Sequence, residues 1–314
     1  MSQSSRVVII GDGPGGYEGA LVARQLGADV TLVSAGQIGG SAVLTDCVPS
    51  KTLIATSEAI DQAAASGYLG VRIDGRPADR SAFSVDLATV NERILELAHA
   101  QSAGIRQHLE QAGVEIVHGR GTLTSEATIE VTNDDASWDV AADTILFATV
   151  ARPRVLAEAT PDGERILSWE QIYQLDELPE HLIVVGSGVT GAEFASAFHA
   201  LGSTVTLVSS RDRVLPGEDA DAAGVLEDVF TRRGLNVRSR SRAVAARRVD
   251  DSVIVTLDDS STLQGSHVLM AVGSLPNTDD LGLESAGVST DSRGFITVDR
   301  VSRTSARHIY AAGD

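Results

Sequence analysis

Two glycine-rich turns constrain the fold of this chain more than any other feature of its sequence. They are Gly11–Gly16, which reads GDGPGG, and Gly186–Gly191, which reads GSGVTG, so both fit the pattern G-x-G-x-x-G. A short apolar segment precedes each turn, Val7–Ile10 in the first case and Leu182–Val185 in the second. Such segments are typical of buried strands in a parallel sheet. Each turn is therefore predicted to follow a buried strand.

Apolar residues at helical spacing come after each turn, and a second apolar segment follows them. These second segments are Asp29–Val33 and Thr204–Val208. The order strand, turn, helix, strand requires parallel strands joined by a helical crossover. The sequence therefore predicts an α/β protein with two Rossmann-like, three-layer domains. The other predicted elements are a helix at Leu87–Ala112 and strands at Val114–Val117, Thr128–Val131 and Ile145–Ala148.

The glycine pattern has a specific physical use. The first glycine permits a tight turn, the second lets the backbone approach a pyrophosphate, and the third lets the helix pack on the strand. The start of the helix then offers free N–H groups to the phosphates. Tight turns without a ligand are the alternative, but both turns here follow a strand and open a helix. We therefore expect two dinucleotides, one in each domain.

In dinucleotide-binding units of this kind, an acidic residue at the end of the second strand usually binds the ribose. Neither unit of this chain has an acidic residue at that position. Here Ser34 takes that place in the first unit and Ser209 in the second. A serine can bond a ribose hydroxyl, but it lacks the carboxylate that disfavours a 2′-phosphate. Arg211 and Arg213 follow Ser209, and they either receive the 2′-phosphate of NADP or belong to a solvated loop.

The only cysteine and the only lysine of the chain stand at the two ends of the segment Cys47–Lys51. Where arginine carries the other basic charges, a single lysine indicates a site that requires a compact ammonium. The thiol beside it is a soft nucleophile. The alternative interpretation is a buried structural cysteine followed by a surface lysine on a helix.

Composition and charge exclude several classes of function. A formal net charge of -18 argues against nucleic acid and anionic membrane surfaces as partners. No apolar segment approaches the length that spans a membrane, so no integral membrane segment is expected. One cysteine excludes an intrachain disulfide and fits a cytoplasmic location.

The two turns, the Cys47–Lys51 segment and the terminal Ile309–Asp314, which reads IYAAGD, together resemble the flavoprotein disulfide reductases. That family includes dihydrolipoamide dehydrogenase and glutathione reductase. The resemblance implies that the first turn binds FAD and that the second binds NADH or NADPH as the electron donor. It also implies that Glu193 pairs with Lys51 near flavin N5, and we expect this ion pair to be buried.

The same resemblance implies a set of site residues and domains. It assigns catalytic roles to Cys47, Lys51 and Glu193. It implies a discontinuous FAD-binding domain at 1–154 and 275–314, and an NAD(P)-binding domain at 155–274. The cofactor-binding residues that it implies are Gly11, Gly13, Pro14, Gly15, Gly16, Ser34, Gly40, Ser41, Lys51, Gly121, Ala148, Thr149, Gly186, Gly188, Val189, Thr190, Gly191, Glu193, Ser209, Arg211, Gly273, Gly313 and Asp314.

The redox segment departs from the family pattern. The family reads Gly-Gly-Thr-Cys-Leu-Asn-x-Gly-Cys-x-Pro-Ser-Lys, whereas residues 39–51 read GGSAVLTDCVPSK. Ala42 replaces the cysteine that attacks disulfide substrates, and only the flavin-proximal Cys47 remains. A methyl group cannot form a mixed disulfide, so thiol–disulfide exchange is excluded. Val150 also replaces a glycine whose positive φ a β-branched residue adopts only at a cost.

Within the family, the chain most resembles a lipoamide-dehydrogenase-like subgroup from actinobacteria that lacks the first cysteine, the NAD(P)H–quinone dehydrogenases. This implies a FAD-dependent NAD(P)H:quinone oxidoreductase that uses a small quinone-type acceptor. A dihydrolipoamide dehydrogenase and an inactive, truncated nucleotide-binding fragment are the alternatives. The second arises because the family's C-terminal interface domain is expected to be absent after Asp314. A homodimer is expected for a full-length chain.

Overall fold

A computed structural model describes residues 4–313 of the chain. These residues form two compact units. The first unit comprises the described parts of Met1–Cys47, Leu97–Arg152 and Ser274–Asp314, and the second comprises Val48–Glu96 and Pro153–Gly273. The chain therefore passes from one unit to the other four times.

The first unit is built on a parallel sheet that is buried on both faces. Successive side chains of a strand point to opposite faces, so Val8 packs towards an antiparallel sheet and Ile9 packs towards helices. Helix Pro14–Gln25 connects the two adjacent strands that flank the first glycine turn. In spatial order the parallel strands are Ile309–Ala311, Thr144–Phe147, Arg6–Ile10, Asp29–Ser34 and Glu115–His118. The antiparallel strands are Arg120–Ser125, Thr128–Thr132 and Ser137–Ala141.

The second unit repeats this architecture. Ile183 faces an antiparallel sheet, whereas Leu182 faces helices. Helix Val189–Leu201 follows the second glycine turn, and helix Ala220–Arg232 follows the next strand. In spatial order the parallel strands are Ile166–Ser168, His267–Met270, His181–Val185, Thr204–Val208 and Asn236–Arg238. The antiparallel strands are Ala243–Val249, Ser252–Leu257 and Thr262–Gly265.

The remaining elements are mostly short. The other α-helices are Gly40–Leu44, Cys47–Ala65 and Leu87–Gln111. The 3-10 helices are Ser66–Leu69, Arg80–Ala82, Ile172–Gln174 and Leu283–Ala286, and the short strands are Arg72–Ile73, Arg76–Pro77, Ala151–Pro153 and Ser274–Pro276. Among residues 4–313, no helix combines the length and the apolar character that crossing a membrane requires.

The structure confirms the predicted α/β class with parallel sheets, and the predicted strands and helix are off by no more than one residue at either end. The packing units are not identical to the predicted domain ranges, which remain a prediction. Residues 48–96 lie within the predicted 1–154 range but pack with the second unit. The reason is apolar contact, because Leu53 and Ile94 are buried in the same cluster as Phe194.

Candidate functional site: two glycine turns and a lysine–glutamate pair

The first glycine turn is closed so tightly that side chains are excluded from it. Gly11 has a φ of +110°, and a Cβ built on it would lie 2.1 Å from the carbonyl oxygen of Ala148. A Cβ built on Gly16 would lie 2.0 Å from the carbonyl oxygen of Gly11. Both positions therefore require glycine, one for the turn and the other for the contact between helix and strand.

The second turn has the same construction. Gly186 has a φ of +114°, and a Cβ built on it would lie 2.0 Å from the carbonyl oxygen of Ala271. A Cβ built on Gly191 would lie 1.9 Å from the carbonyl oxygen of Gly186. At Gly188, by contrast, a Cβ would meet nothing within 4 Å among the described residues beyond its chain neighbours. This turn is therefore open where the motif lets a pyrophosphate approach the backbone.

Each turn leads directly into a helix whose first N–H groups are available to a ligand. Gly13 is the N-cap of helix Pro14–Gln25, and Gly188 is the N-cap of helix Val189–Leu201. Neither glycine can supply a capping side chain, and no side-chain cap is present at these two positions of the described chain. Free N–H groups at a helix start attract anions. The residues predicted to bind phosphate, including Val189 and Thr190, thus lie at suitable helix starts.

The strand ends beside the two turns carry different polar pairs. In the first unit the Ser34 hydroxyl donates a hydrogen bond to the Asp12 carboxylate. In the second unit the Ser187 hydroxyl donates to Ser209 Oγ at 2.7 Å. Burial raises the pKa of the Asp12 carboxyl, although the bond from Ser34 opposes that shift. Reasoning from the sequence considered only the strand ends and missed Asp12, although an acidic residue inside the G-x-G segment was visible.

The residues that follow Ser209 form a turn rather than a strand. The backbone N–H of Arg211 donates to Ser209 Oγ at 3.1 Å, and Ser209 Oγ donates to the Arg213 carbonyl at 3.1 Å. Arg211 is exposed, whereas Arg213 is half-buried. The Arg211 side chain is therefore accessible to solvent next to the end of the strand.

Lys51 and Glu193 form the predicted ion pair within the second unit. Lys51 Nζ donates to Glu193 Oε1 at 2.7 Å and to Oε2 at 2.8 Å. The expectation that this pair is buried is wrong, because 56% of the Lys51 side chain and 26% of the Glu193 side chain are exposed. The exposure arises because Lys51 lies in the first turns of helix Cys47–Ala65, on its solvent side. A ligand can therefore reach the ammonium.

Cys47 and Ala42 lie on consecutive short stretches of helix. Ala42 is within helix Gly40–Leu44, and Cys47 is the first residue of the next helix, one turn before Lys51. Cys47 is exposed, which contradicts the alternative of a buried structural cysteine. The predicted catalytic residues Cys47 and Lys51 are therefore one helical turn apart in the sequence of this helix.

A cavity of about 630 Å³ runs beside helix Val189–Leu201 in the second unit. Its wall includes Glu193, so the ion pair stands at its edge. Its other side includes Asp61 and Arg233, which form an ion pair at 2.9 Å. The rest of the lining mixes apolar side chains, such as Ile54 and Phe230, with polar ones, such as Glu58 and Gln62.

Several other predicted cofactor-binding residues of the first unit gather around its turn. Ala148 contributes the carbonyl oxygen beneath Gly11, and a Cβ built on Gly40 would lie 2.8 Å from Gly13 Cα. A Cβ built on Gly121 would lie 3.2 Å from the side chain of Ile10, the residue before the turn. Ser41 lies in helix Gly40–Leu44, the Thr149 carbonyl accepts a hydrogen bond from Asn277, and Gly313 has a positive φ. Asp314 lies outside the described residues. Gly273, which also has a positive φ, is the last residue of its segment in the second unit.

Val150 has a backbone conformation that is uncommon for its type. Its φ is +62°, in the left-handed region that β-branched residues rarely adopt. Its Cγ2 atom lies 2.8 Å from the position that a Cβ on Gly13 would occupy. Valine is therefore held in a conformation that glycine adopts freely, and its side chain lies against Gly13 of the turn.

These features agree with the comparison of the chain with known proteins. Residues 5–314 match the family described as pyridine nucleotide-disulphide oxidoreductase. The chain belongs to this family. Its family membership explains the two similar units, because each carries its own glycine turn at the carboxyl end of a parallel strand.

Relatives with known names fall into two groups. The chain is 48% identical to the NAD(P)H dehydrogenase (quinone) of Mycobacterium tuberculosis, over 99% of this chain and 64% of the relative. It is 35% identical to the dihydrolipoyl dehydrogenase of Chlorobaculum parvum, over 98% of this chain and 65% of the relative. The chain thus spans less than two thirds of the length of these curated relatives.

A solved structure supports the same family. The crystal structure of LpdA from Mycobacterium tuberculosis matches with a TM-score of 0.91 and 46% identity, covering 99% of this chain and 67% of that one. The flavoprotein disulfide reductase RclA of Escherichia coli matches with a TM-score of 0.85 and 24% identity, covering 99% of this chain and 66% of that one, which shows the shared fold.

Proposed function

We propose that the chain acts as a FAD-dependent NAD(P)H:quinone oxidoreductase, in which the first unit holds FAD and the second holds NADH or NADPH. The observation that carries this proposal is Ala42 in the place of the family's first redox cysteine, in a chain that keeps both glycine turns. The similar Mycobacterium tuberculosis protein is itself named as a quinone dehydrogenase, which supports the class of acceptor.

The first turn fits a dinucleotide such as FAD. Gly11 and Gly16 leave no space for side chains, and the uncapped helix start at Gly13 offers N–H groups to a pyrophosphate. The chemistry that FAD supplies when bound is the acceptance of hydride and the release of electrons. The residues that would hold it are Gly11, Gly13, Pro14, Gly15, Gly16, Ser34, Gly40, Ser41, Gly121, Ala148, Thr149, Gly313 and Asp314.

The second turn would hold the nicotinamide dinucleotide through the same physics. The open face at Gly188 admits a pyrophosphate, and the helix start contributes Val189 and Thr190. The Ser209 and Arg211 positions stand where the ribose of the adenosine would lie in such a unit.

Lys51 is proposed to carry the positive charge that compensates reduced flavin, and Glu193 is proposed to orient it. The two short bonds from Nζ to the carboxylate oxygens fix the ammonium in one direction. Cys47, one helical turn before Lys51, is proposed to contact the flavin without forming a disulfide. These roles come from the family, and they are consistent with the exposure of the Lys51 and Cys47 side chains.

A dihydrolipoyl dehydrogenase is the second candidate, because relatives at 35% identity carry that name. Ala42 opposes it, since turnover of a dithiol substrate needs a thiol that forms a mixed disulfide. A direct assay separates the two. The purified protein, loaded with FAD, is supplied with NADH or NADPH and either a soluble quinone or lipoamide. We expect oxidation of the nucleotide with quinone alone, and lipoamide-dependent turnover above background would contradict the proposal.

A further inference from the structure

The two units offer an internal comparison at the ends of their second strands. In each unit the N–H of the first glycine donates to the last valine of that strand, Gly11 to Val33 and Gly186 to Val208. The residues that follow these valines are Ser34 and Ser209, so the two serines are equivalent. By the same alignment, Asp12 is equivalent to Ser187, since each follows the first glycine of its turn.

Equivalent residues are in contact in both units, but the hydrogen bonds run in opposite directions. Ser34 donates to the Asp12 carboxylate of its own turn, whereas in the second unit Ser209 Oγ accepts from the Ser187 hydroxyl. Ser34 Oγ also lies 3.1 Å from the Gly36 carbonyl oxygen, and Ser209 Oγ lies 3.3 Å from the Arg211 carbonyl oxygen. The contact that joins the turn to the strand end is therefore present in both units. The units differ in charge, because the first places a carboxylate there and the second places a hydroxyl.

A carboxylate is not needed to close this turn. The second unit closes it with Ser187, a neutral side chain, at a normal hydrogen-bond distance of 2.7 Å. The carboxylate of Asp12 is moreover costly where it lies, because burial raises its pKa and so favours the neutral form. The Asp12 carboxylate accepts a hydrogen bond from Ser34 and another from the backbone of Gly36, and it thereby places a charged oxygen pair at the strand end, where the second unit has only hydroxyls.

We propose that Asp12 supplies the carboxylate that binds the ribose hydroxyls of the FAD adenosine, in place of the acidic residue normally found at the position of Ser34. The inference rests on the proposed function, since it assumes that the first unit binds FAD. Asp12 reaches the strand end from the glycine turn, as its bond with Ser34 demonstrates. An ionised carboxylate accepts hydrogen bonds from ribose hydroxyls and repels a phosphate on the same ribose.

The same comparison accounts for the choice of dinucleotide in the two units. The ribose of FAD has free hydroxyls, and the carboxylate of Asp12 suits them. The second unit places Ser187 and Ser209 at the equivalent point, so it lacks a negative charge that would exclude a 2′-phosphate. The charge difference between the two pairs therefore specifies an unmodified ribose in the first unit only.

The experiment removes the flavin from three proteins, wild type, Asp12→Asn and Asp12→Ser, and measures the dissociation constant for FAD of each. The Asp12→Ser variant reproduces the serine–serine pair of the second unit, and it replaces Asp12→Asn in the comparison if that variant folds poorly. We expect the dissociation constant for FAD to rise about 10- to 100-fold, as for loss of hydrogen bonds to a charged group. Asp139→Asn, an exposed site in the same unit, makes the same charge change and should bind FAD as wild type does.

Two further arms test whether the effect acts through the ribose. With an FAD analogue that lacks the 2′-hydroxyl of the adenosine ribose, wild type and Asp12→Asn should bind almost equally. The double variant Asp12→Gly/Ser34→Glu, which moves the carboxylate to the strand end, should recover most of the lost affinity. The single variant Ser34→Glu should bind FAD more weakly than wild type, because two carboxylates then face each other.

The outcomes distinguish the two levels of the argument. If wild type does not bind FAD at all, the proposed function fails. If wild type binds FAD and Asp12→Asn binds it equally well, the inference about Asp12 is overturned while the proposed function stands. Equal losses for FAD and for the 2′-deoxy analogue would also overturn it, because the role of Asp12 would then be structural.

Discussion

Lys51 directs its ammonium at both oxygens of the Glu193 carboxylate, with Nζ 2.7 Å from Oε1 and 2.8 Å from Oε2. The ammonium is fixed in direction but remains open to solvent, since 56% of the Lys51 side chain is exposed. An exposed ion pair contributes little to stability, about 0–1 kcal/mol. The pair is therefore better suited to present an oriented positive charge than to hold the unit together.

The role of this charge gives the first prediction. In the protein loaded with FAD, Lys51→Ala should slow the reduction of flavin by NADH about 100-fold, as loss of one preorganised donor does. Lys51→Arg should recover the rate only in part, because a planar guanidinium replaces a compact ammonium. Stopped-flow absorbance measures the rate. Arg248→Ala removes another exposed ion pair of the second unit, with Glu164, and should leave the rate unchanged.

Thermal unfolding serves as the second readout for the same variants. Lys51→Ala should change the free energy of unfolding by less than about 1 kcal/mol, since the pair is exposed. A large loss of stability with an unchanged rate of flavin reduction would contradict the role proposed for Lys51.

The absence of a second thiol beside Cys47 gives the second prediction. With Ala42 in the place of the first cysteine, FAD is the only group that takes up electrons, so a reductive titration should end at about two electrons per flavin. A family member with a redox disulfide takes up about four, because the disulfide accepts two more. Anaerobic titration with dithionite, followed at the flavin absorbance, gives the count. An uptake near four would mean that a further redox group is present.

Particular residues show what the sequence could predict. The strands beside both turns were predictable because apolar segments, glycine and helical spacing are local features. The contact between Asp12 and Ser34 was not, because it joins residues that are 22 apart in the sequence. The exposure of Lys51 was not either, since burial depends on which residues pack around a helix. The packing of Leu53 with Phe194 likewise depends on contacts far apart in the chain.

The conformation of Val150 gives the third prediction. Its φ of +62° strains a β-branched residue, whereas glycine adopts this region freely. Val150→Gly should therefore raise the free energy of unfolding by about 1 kcal/mol, despite the greater flexibility of glycine in the unfolded chain. Val150→Ala removes the β-branch but keeps the left-handed strain, so its free energy of unfolding should rise by less than that of Val150→Gly. Urea unfolding compares the three proteins, and a loss of stability in Val150→Gly would show that the side-chain contacts outweigh the strain.

The titration of His267 gives the fourth prediction. Burial, assisted by the positive charge of Arg165, lowers the pKa of His267 to about 4. Between about pH 6.5 and pH 4 the unfolded chain binds a proton at this residue and the folded chain does not, so stability is lost as pH falls. His267→Gln should flatten this part of the profile, and the exposed His99→Gln should not. Urea unfolding at pH 7, 6 and 5 tests the difference, and equal slopes in the three proteins would contradict it.

The hydroxyl pair of the second unit gives the last prediction. Ser187 and Ser209 bond each other where a carboxylate would select NADH, and exposed Arg211 follows them. Without that charge a 2′-phosphate is tolerated, so we expect the protein to use NADPH as well as NADH. Ser209→Asp should raise the KM for NADPH about tenfold through repulsion between like charges, with little change for NADH. Arg211→Ala should raise the KM for NADPH but not the KM for NADH, because it removes a cation that can pair with the 2′-phosphate. Thr262→Asp adds the same charge at an exposed site and is the control. Initial rates measured with NADH and with NADPH give the two KM values for each variant. Equal changes for both donors would mean that neither Ser209 nor Arg211 distinguishes the two dinucleotides. Arg211 would then belong only to a solvated loop.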